Sequence, residues 1–351
     1  MNRFIFTSLI IAQLLISIHS RLANENTYAY NEISDELFKP IVIERKLDNE
    51  VMNDDMKKLL GSSLINLADV SPYSLDYYFY GNQLNTFEKK IYVIFAKLCQ
   101  TPIKNLTTDY FNIAQYKVAK SNLMDSLSKA ASALRYDHPE YWWNNGWFHV
   151  SFFPDPNNLD YVDRIQLTLG TNDYTKNYIN NNFDKVTNIA KTVADNAKKQ
   201  TTLYKRIKYI HDYLATNIKY GYEKADQSRY DITGCLLNKR CVCHGYAMTF
   251  SYICRLAGIE AIVINGKAGE GDGEGHSWNY VKIDNIWYLV DVTFDDPGDK
   301  EPGVASDVYT FFLIGWGDKY YKENYKSRDP IFNGLKYPTL SQTNYKRPNL
   351  V

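Results

Sequence analysis

An α+β fold is predicted for this chain: a cysteine-bearing helix packed on an antiparallel sheet, preceded by a mainly helical N-terminal region with a β-hairpin. Three observations predict it. Residues 243–256 carry apolar side chains at helical spacing and stop at Gly258. Residues 261–293 divide into three β-like runs, the last two separated by the tight-turn pair Asp284-Asn285. Upstream, four amphipathic helical patterns flank two β-rich runs.

The first helix is read from Asn85, because Phe87, Ile91, Ile94, Phe95 and Leu98 share a face and Asn85 and Glu88 are spaced as a capping box. Leu123, Leu127, Ala130, Ala131 and Leu134 mark a second helix over 121–135. Between 136 and 169, two β-rich runs bracket Pro154-Asp155-Pro156-Asn157-Asn158 and read as the hairpin. His138, Trp142 and Trp143 beside it read as a packing corner. Phe183, Val186, Ile189, Ala190 and Val193 give a helix within 172–199, and Leu203, Ile207, Ile210 and Leu214 give another over 202–217. The predicted organisation is therefore an apolar leader at 1–20, a loosely structured lead-in at 21–84 with one helix near 50–60, an N-terminal region at 85–200, a second domain at 201–320 and a C-terminal extension at 321–351.

Forty Lys and Arg against forty Asp and Glu leave no net charge, so no overall field draws the chain to nucleic acid. Residues 4–18 form an apolar run behind Arg3, too short to span a bilayer as a helix and fitting the core of a secretory signal peptide. The expected mature protein is exported and not inserted in a membrane. Asn105-Leu106-Thr107 is an N-glycosylation acceptor sequence. Five cysteines, Cys99, Cys235, Cys241, Cys243 and Cys254, leave at least one unpaired within the chain. Cys235 and Cys241 are close enough to close a small loop ahead of Cys243, although connectivity does not follow from sequence. A zinc site at Cys241-Val242-Cys243 is disfavoured, since its spacing is short and no second pair follows. Gly269 to Gly275, with acidic groups alternating with glycine, reads as a flexible lid and not as a calcium loop, whose ligand spacing it lacks. No cofactor and no metal are expected.

The residues that carry chemistry follow from this layout. Cys243 falls in the first turn of its helix, where free N–H groups and the helix dipole favour a thiolate. Gly245 beside it would let a substrate backbone approach. His276 begins one strand and Asp291 lies near the end of its antiparallel partner, so a carboxylate can hold the imidazole in one tautomer while its other nitrogen faces the thiol. His244 is expected to point away from the nucleophile as a surface or specificity residue.

Cys243-His244-Gly245-Tyr246-Ala247, Gly258-Ile259, His276-Ser277-Trp278-Asn279 and the run from Trp287 to Pro297 resemble the transglutaminase-like superfamily over about residues 202–315. His211-Asp212-Tyr213-Leu214, with Tyr220 after it, is similar to the helix that precedes the core in microbial members. The resemblance implies a papain-like core with Cys243 as nucleophile, His276 as base and Asp291 as its orienter. Phe294 stands where the family commonly has Trp, a swap expected to affect packing more than chemistry. No side-chain oxyanion donor is identifiable. The residues after 315 are too few for the β-sandwich domains of the calcium-controlled animal enzymes. The implied function is a secreted cysteine-dependent acyl transfer on peptide or side-chain amides, hydrolytic in preference to cross-linking, with a protein or peptide substrate. The alternative is a non-catalytic module that binds protein or cell-wall chains.

Overall fold

The computed structural model describes residues 78–100, 106–171, 174–221, 227–296, 309–328 and 334–347, with strands also at 27–29, 42–46 and 64–65. The apolar leader, the helix expected near 50–60 and Asn105 lie outside the described residues.

Three short strands, β1 (Thr27–Ala29), β2 (Val42–Lys46) and β3 (Leu64–Ile65), come from the segment read as a lead-in. Helix α1 (Thr86–Gln100) starts where the capping box puts it: Asn85 N–H donates to Glu88 Oε2 and Glu88 N–H to Asn85 Oδ1, both at 2.9 Å. After β4 (Thr107–Thr108) and β5 (Phe111–Asn112) comes α2 (Lys120–Asp137), which packs on α1 through the predicted apolar faces of both. The predicted hairpin is β6 (Asn144–Asp155) and β7 (Asn158–Thr171). It is the centre of a sheet ordered β1-β2-β6-β7-β4-β3, with β5 also paired to β7. His138, Trp142 and Trp143 are buried at its edge, His138 stacked on Tyr141 and Trp142 set edge-on to Trp143. They form the packing corner that the sequence suggests.

Helices α3 (Lys176–Lys198) and α4 (Leu203–Asn217) both open on a threonine: Thr175 accepts from Tyr178 N–H and Thr202 from Lys205 N–H. The expected boundary near residue 200 is the turn between them, and α3 packs on α4 and on the cysteine helix. A parallel pair of two-residue strands, β8 (Lys219–Tyr220) and β9 (Arg240–Cys241), leads to that helix, α5 (Cys243–Leu256). It ends in a Schellman motif, with Gly258 at φ +74° and the Ile259 N–H reaching back to the Cys254 carbonyl at 2.8 Å.

The second sheet contains β10 (Ala261–Ala268), β11 (Glu274–Ile283), β12 (Ile286–Val290), β13 (Phe312–Ile314) and β14 (Tyr325–Arg328), all antiparallel in the order β13-β12-β11-β10-β14. One-turn helix α6 (Val292–Asp295) follows β12, and α7 (Lys319–Asn324) precedes β14. Asp284 and Asn285 carry φ of +52° and +62°, the backbone a type I′ turn requires. Helix α5 lies against β10 and β11, and the Asn279 amide ties the layers together by donating to the carbonyls of Ala247 and Ile262.

Two details differ from expectation. The last strand stops at Val290 and not at Thr293, because Asp291 turns the chain into α6 as its N-cap. The glycine-rich run read as a lid is the turn of the β10–β11 hairpin, closed by Gly273 N–H to the Glu270 carbonyl, with Gly269, Gly271 and Gly273 all at positive φ. Among the described residues no helix is long and apolar enough to cross a membrane.

Strand β14 comes so close to β10 that a Cβ on Gly266 would lie 2.1 Å from the Ser327 carbonyl oxygen and 2.8 Å from the Trp278 ring. A methyl group there must push strand or ring away. Gly266→Ala should destabilise the protein by about 1–3 kcal/mol, read as a lower urea midpoint. An unchanged midpoint would mean that β14 is not clamped against this glycine.

Candidate active site

The nucleophile candidate is held by local structure. Cys243 opens α5 and is 8% exposed, with Val242 as its N-cap. The Val242 N–H donates to the Arg229 carbonyl, and Cys235 and Cys241 are joined by a disulfide just ahead of it. Cys99 and Cys254 are free but buried in the cores of their helices, where burial pushes both thiols up. Cys243 is the free thiol that has a histidine beside it.

His276 and Asp291 meet as diagonal neighbours at the open end of the β11–β12 pair. The ladder sets Asn279 opposite Val290, which leaves Asp291 across from Trp278, one same-face step from His276. His276 Nε2 lies 2.7 Å from Asp291 Oδ2, and the Cys243 thiol is near enough to the ring to add to its upward shift. With Nε2 committed to the carboxylate, Nδ1 is the nitrogen left for sulfur. The three residues named from sequence are therefore in one contiguous chain of contacts.

Asp291 is 1% exposed, and four donors converge on it. Its Oδ1 accepts from the backbone N–H groups of Thr293 and Phe294 as the cap of α6, and its Oδ2 accepts from His276 and from the Tyr325 hydroxyl at 2.8 Å. Burial works against charge on His276, but the Asp291 charge and hydrogen bond, joined by the Cys243 contact, outweigh it and raise the imidazole to about 10. At neutral pH the ring is thus an imidazolium, a donor at both nitrogens.

Aromatic side chains enclose this pair. Phe294 lies flat on the His276 ring, centroids 4.4 Å apart and planes 12° apart, and Trp278 stacks more distantly at 5.9 Å. The role expected for Phe294, general packing, is narrower in fact: it covers one face of the candidate base.

Two sequence expectations need correction. His244 is completely buried, with Nδ1 3.3 Å from Ser277 Oγ, and burial holds its ring well below the usual histidine range. It is a core residue and not a surface one, because the N-terminal region packs over this side of α5 and sets Tyr136 edge-on to it. Gly245 does not face an open substrate path: a Cβ there would be 2.7 Å from the Cys241 Cβ and 2.8 Å from the Arg229 carbonyl. Its bare backbone admits the disulfide. Tyr325 was not singled out from sequence, since it lies in the expected C-terminal extension and reaches Asp291 only through the β10–β14 pairing. Among the described residues no three His, Cys, Asp or Glu side chains are grouped to hold a metal ion.

Residues 180–292 match the model of the transglutaminase-like superfamily. Human kyphoscoliosis peptidase is 28% identical over 37% of this chain and 20% of its own length, and the mouse protein of that name is 30% identical over 25% of this chain and 15% of its own. The matches thus span about a fifth or less of those relatives. Among solved structures, a TGase aligns at 18% identity over 47% of this chain and 56% of its own, with a TM-score of 0.30. The periplasmic domain of TgpA from Pseudomonas aeruginosa aligns at 14% identity over 39% and 55%, with a TM-score of 0.27.

A raised histidine stabilises the fold while it is charged. The contribution is complete below the ordinary value of 6.5 and is lost as pH rises through about 10. The stability advantage of the wild type over His276→Gln should therefore shrink between pH 6.5 and pH 10 in thermal unfolding. An advantage that grew over that window would contradict the charged pair.

Proposed function

We propose that this chain is an exported cysteine-dependent acyl-transfer enzyme in which Cys243, His276 and Asp291 act as a catalytic triad. One observation supports this above all: a buried imidazole hydrogen-bonded to a saturated carboxylate and raised to about 10, with a thiol at a helix start beside it. In the forward half-reaction, the Cys243 sulfur, its proton already passed to His276, attacks the carbonyl carbon of an amide, the C–N bond breaks, and the imidazolium of His276 gives its proton to the departing amine. A thioester remains. In the second half, the now neutral His276 takes a proton from water, whose oxygen attacks the thioester; the C–S bond breaks, a carboxylic acid leaves, and the Cys243 thiolate and the His276 imidazolium are restored. A lysine amine in place of that water would give an isopeptide cross-link. Asp291 holds the ring in place throughout and carries no proton itself.

Hydrolysis of a peptide or protein substrate is the favoured outcome. The superfamily match leaves both acceptors open, and the name of the human and mouse relatives supports peptidase chemistry. The Cys235–Cys241 disulfide supports an oxidising compartment, in keeping with the apolar leader read at residues 4–18. The balanced charge of the chain argues against nucleic acid as a partner.

Incubation with a peptide library and a labelled primary amine, read by mass spectrometry, separates the chemistries. Cleaved peptides without incorporated amine are expected, with activity lowered by several orders of magnitude in Cys243→Ala and on the order of 10³–10⁴-fold in Asp291→Asn. Amine incorporation would move the assignment to cross-linking. No turnover by the wild type, with Cys243 labelled no faster than a free thiol, would leave a binding module.

A further inference from the structure

Helix α6 is a single turn. One turn fixes several dihedrals for one hydrogen bond, so it is not stable by itself. Its bond is Asp295 N–H to the Asp291 carbonyl, at 3.1 Å. Its N-terminal end is Asp291, the residue that orients His276. Whatever holds the other end of this turn therefore holds the aim of the Asp291 carboxylate.

At that other end, Asp295 meets a histidine from a distant helix. His211 of α4 places Nε2 3.1 Å from Asp295 Oδ2, and both side chains are fully buried. Asp295 Oδ1 accepts the Phe311 N–H at 2.9 Å, while the Phe311 carbonyl accepts the Asp291 N–H at 3.0 Å, so one peptide strand links both ends of the turn. His211 is itself fixed: Nδ1 lies 3.2 Å from Asp212 Oδ1, Asp212 pairs with Lys208, and Lys208 also bonds the Tyr309 hydroxyl. The rings of Phe312 and Tyr309 cover it at 4.8 and 5.5 Å. These groups, with Asp291 acting on Asp295 from across the turn, are the titratable and aromatic neighbours of the pair.

We infer that His211 and Asp295 form a second histidine–carboxylate pair whose role is to position Asp291, making His211 a positioning residue for the Cys243–His276–Asp291 site. The inference rests on the reading of that site given above. Burial raises Asp295 to about 6, against the pull of His211 and the Phe311 N–H, and His211 is itself raised because Asp212 and Asp295 outweigh its burial. A pair this buried is held by its geometry: a side chain that lacks the reach to Asp295 leaves Asp295 Oδ2 without its histidine partner.

His211→Asn keeps the bond towards Asp212 and is too short to reach Asp295, whereas His211→Gln can present a nitrogen where Nε2 stood. Asp295→Leu makes the same cut from the other side, so whichever of the two cutting variants folds, by near-UV circular dichroism, decides. The readout is the titration of His276 by NMR of histidine-labelled protein, assigned with His276→Gln. In His211→Asn and Asp295→Leu the His276 titration should fall by about one pH unit or more, and in His211→Gln it should return towards the wild-type value. A folded cutting variant in which His276 titrates as in the wild type would overturn the positioning role. Failure of the underlying reading looks different: wild-type His276 would then titrate near an ordinary histidine, or Cys243 would react with chloroacetamide no faster than a free thiol.

Discussion

A single buried carboxylate constrains the second half of this molecule. Charge at the position of Asp291 costs several kcal/mol unless donors surround it, and here they come from three separate places: the His276 ring on β11, two backbone N–H groups of α6 and the Tyr325 hydroxyl on β14. Each donor dictates something about its own element. Strand β12 has to end at Val290 so that the next residue can cap a turn. Strand β14 has to lie close to β10, which only a glycine at 266 permits. The sheet is assembled around the carboxylate as much as around its apolar core.

The electrostatic outcome follows from a competition that could have ended the other way. Phe294, Trp278 and the surrounding sheet exclude water from His276, and exclusion alone favours a neutral ring. The same exclusion strengthens its attraction to a carboxylate 2.7 Å away. Asp291 is already fully hydrogen-bonded by protein donors and needs no water to satisfy its oxygens. His244 shows the other ending. One residue from Cys243 and completely buried, it has a serine and an amide for neighbours and the charge of Arg135 nearby, and it is driven towards the neutral form. Carboxylate partners, and not burial, distinguish the two histidines.

What the sequence made legible was whatever is specified over a few residues. The Asn85–Glu88 box, the glycine end of α5 and the Asp284-Asn285 turn are all local chemistry, and each sits where its residues predict. The alignment of His276 with Asp291 was readable for the same reason, since a two-residue turn sets the register of both strands. Partners distant in sequence were not readable. Tyr325 approaches Asp291 from 34 residues away and His211 approaches Asp295 from 84, and no pattern around either residue advertises the contact. The burial of His244 and the filling of the space at Gly245 depend likewise on the N-terminal region and on a disulfide.

This division also describes how the two halves of the site are built. Cys243 is fixed by neighbours within about fifteen residues: the disulfide to its N-terminal side, the Arg229 carbonyl that binds Val242, and the first turn of its own helix. His276 and Asp291 are fixed by hydrogen bonds that close long loops, whose entropy must be recovered by the completed sheet. Sulfur and imidazole therefore meet only when the locally ordered helix start and the globally ordered sheet edge are both in place. Asn279 joins those two layers directly, its amide reaching the α5 carbonyl of Ala247 and the β10 carbonyl of Ile262 from the strand that also carries His276. The strand that supplies the imidazole is thus bonded to the helix that supplies the thiol, and their spacing is a property of the layer packing.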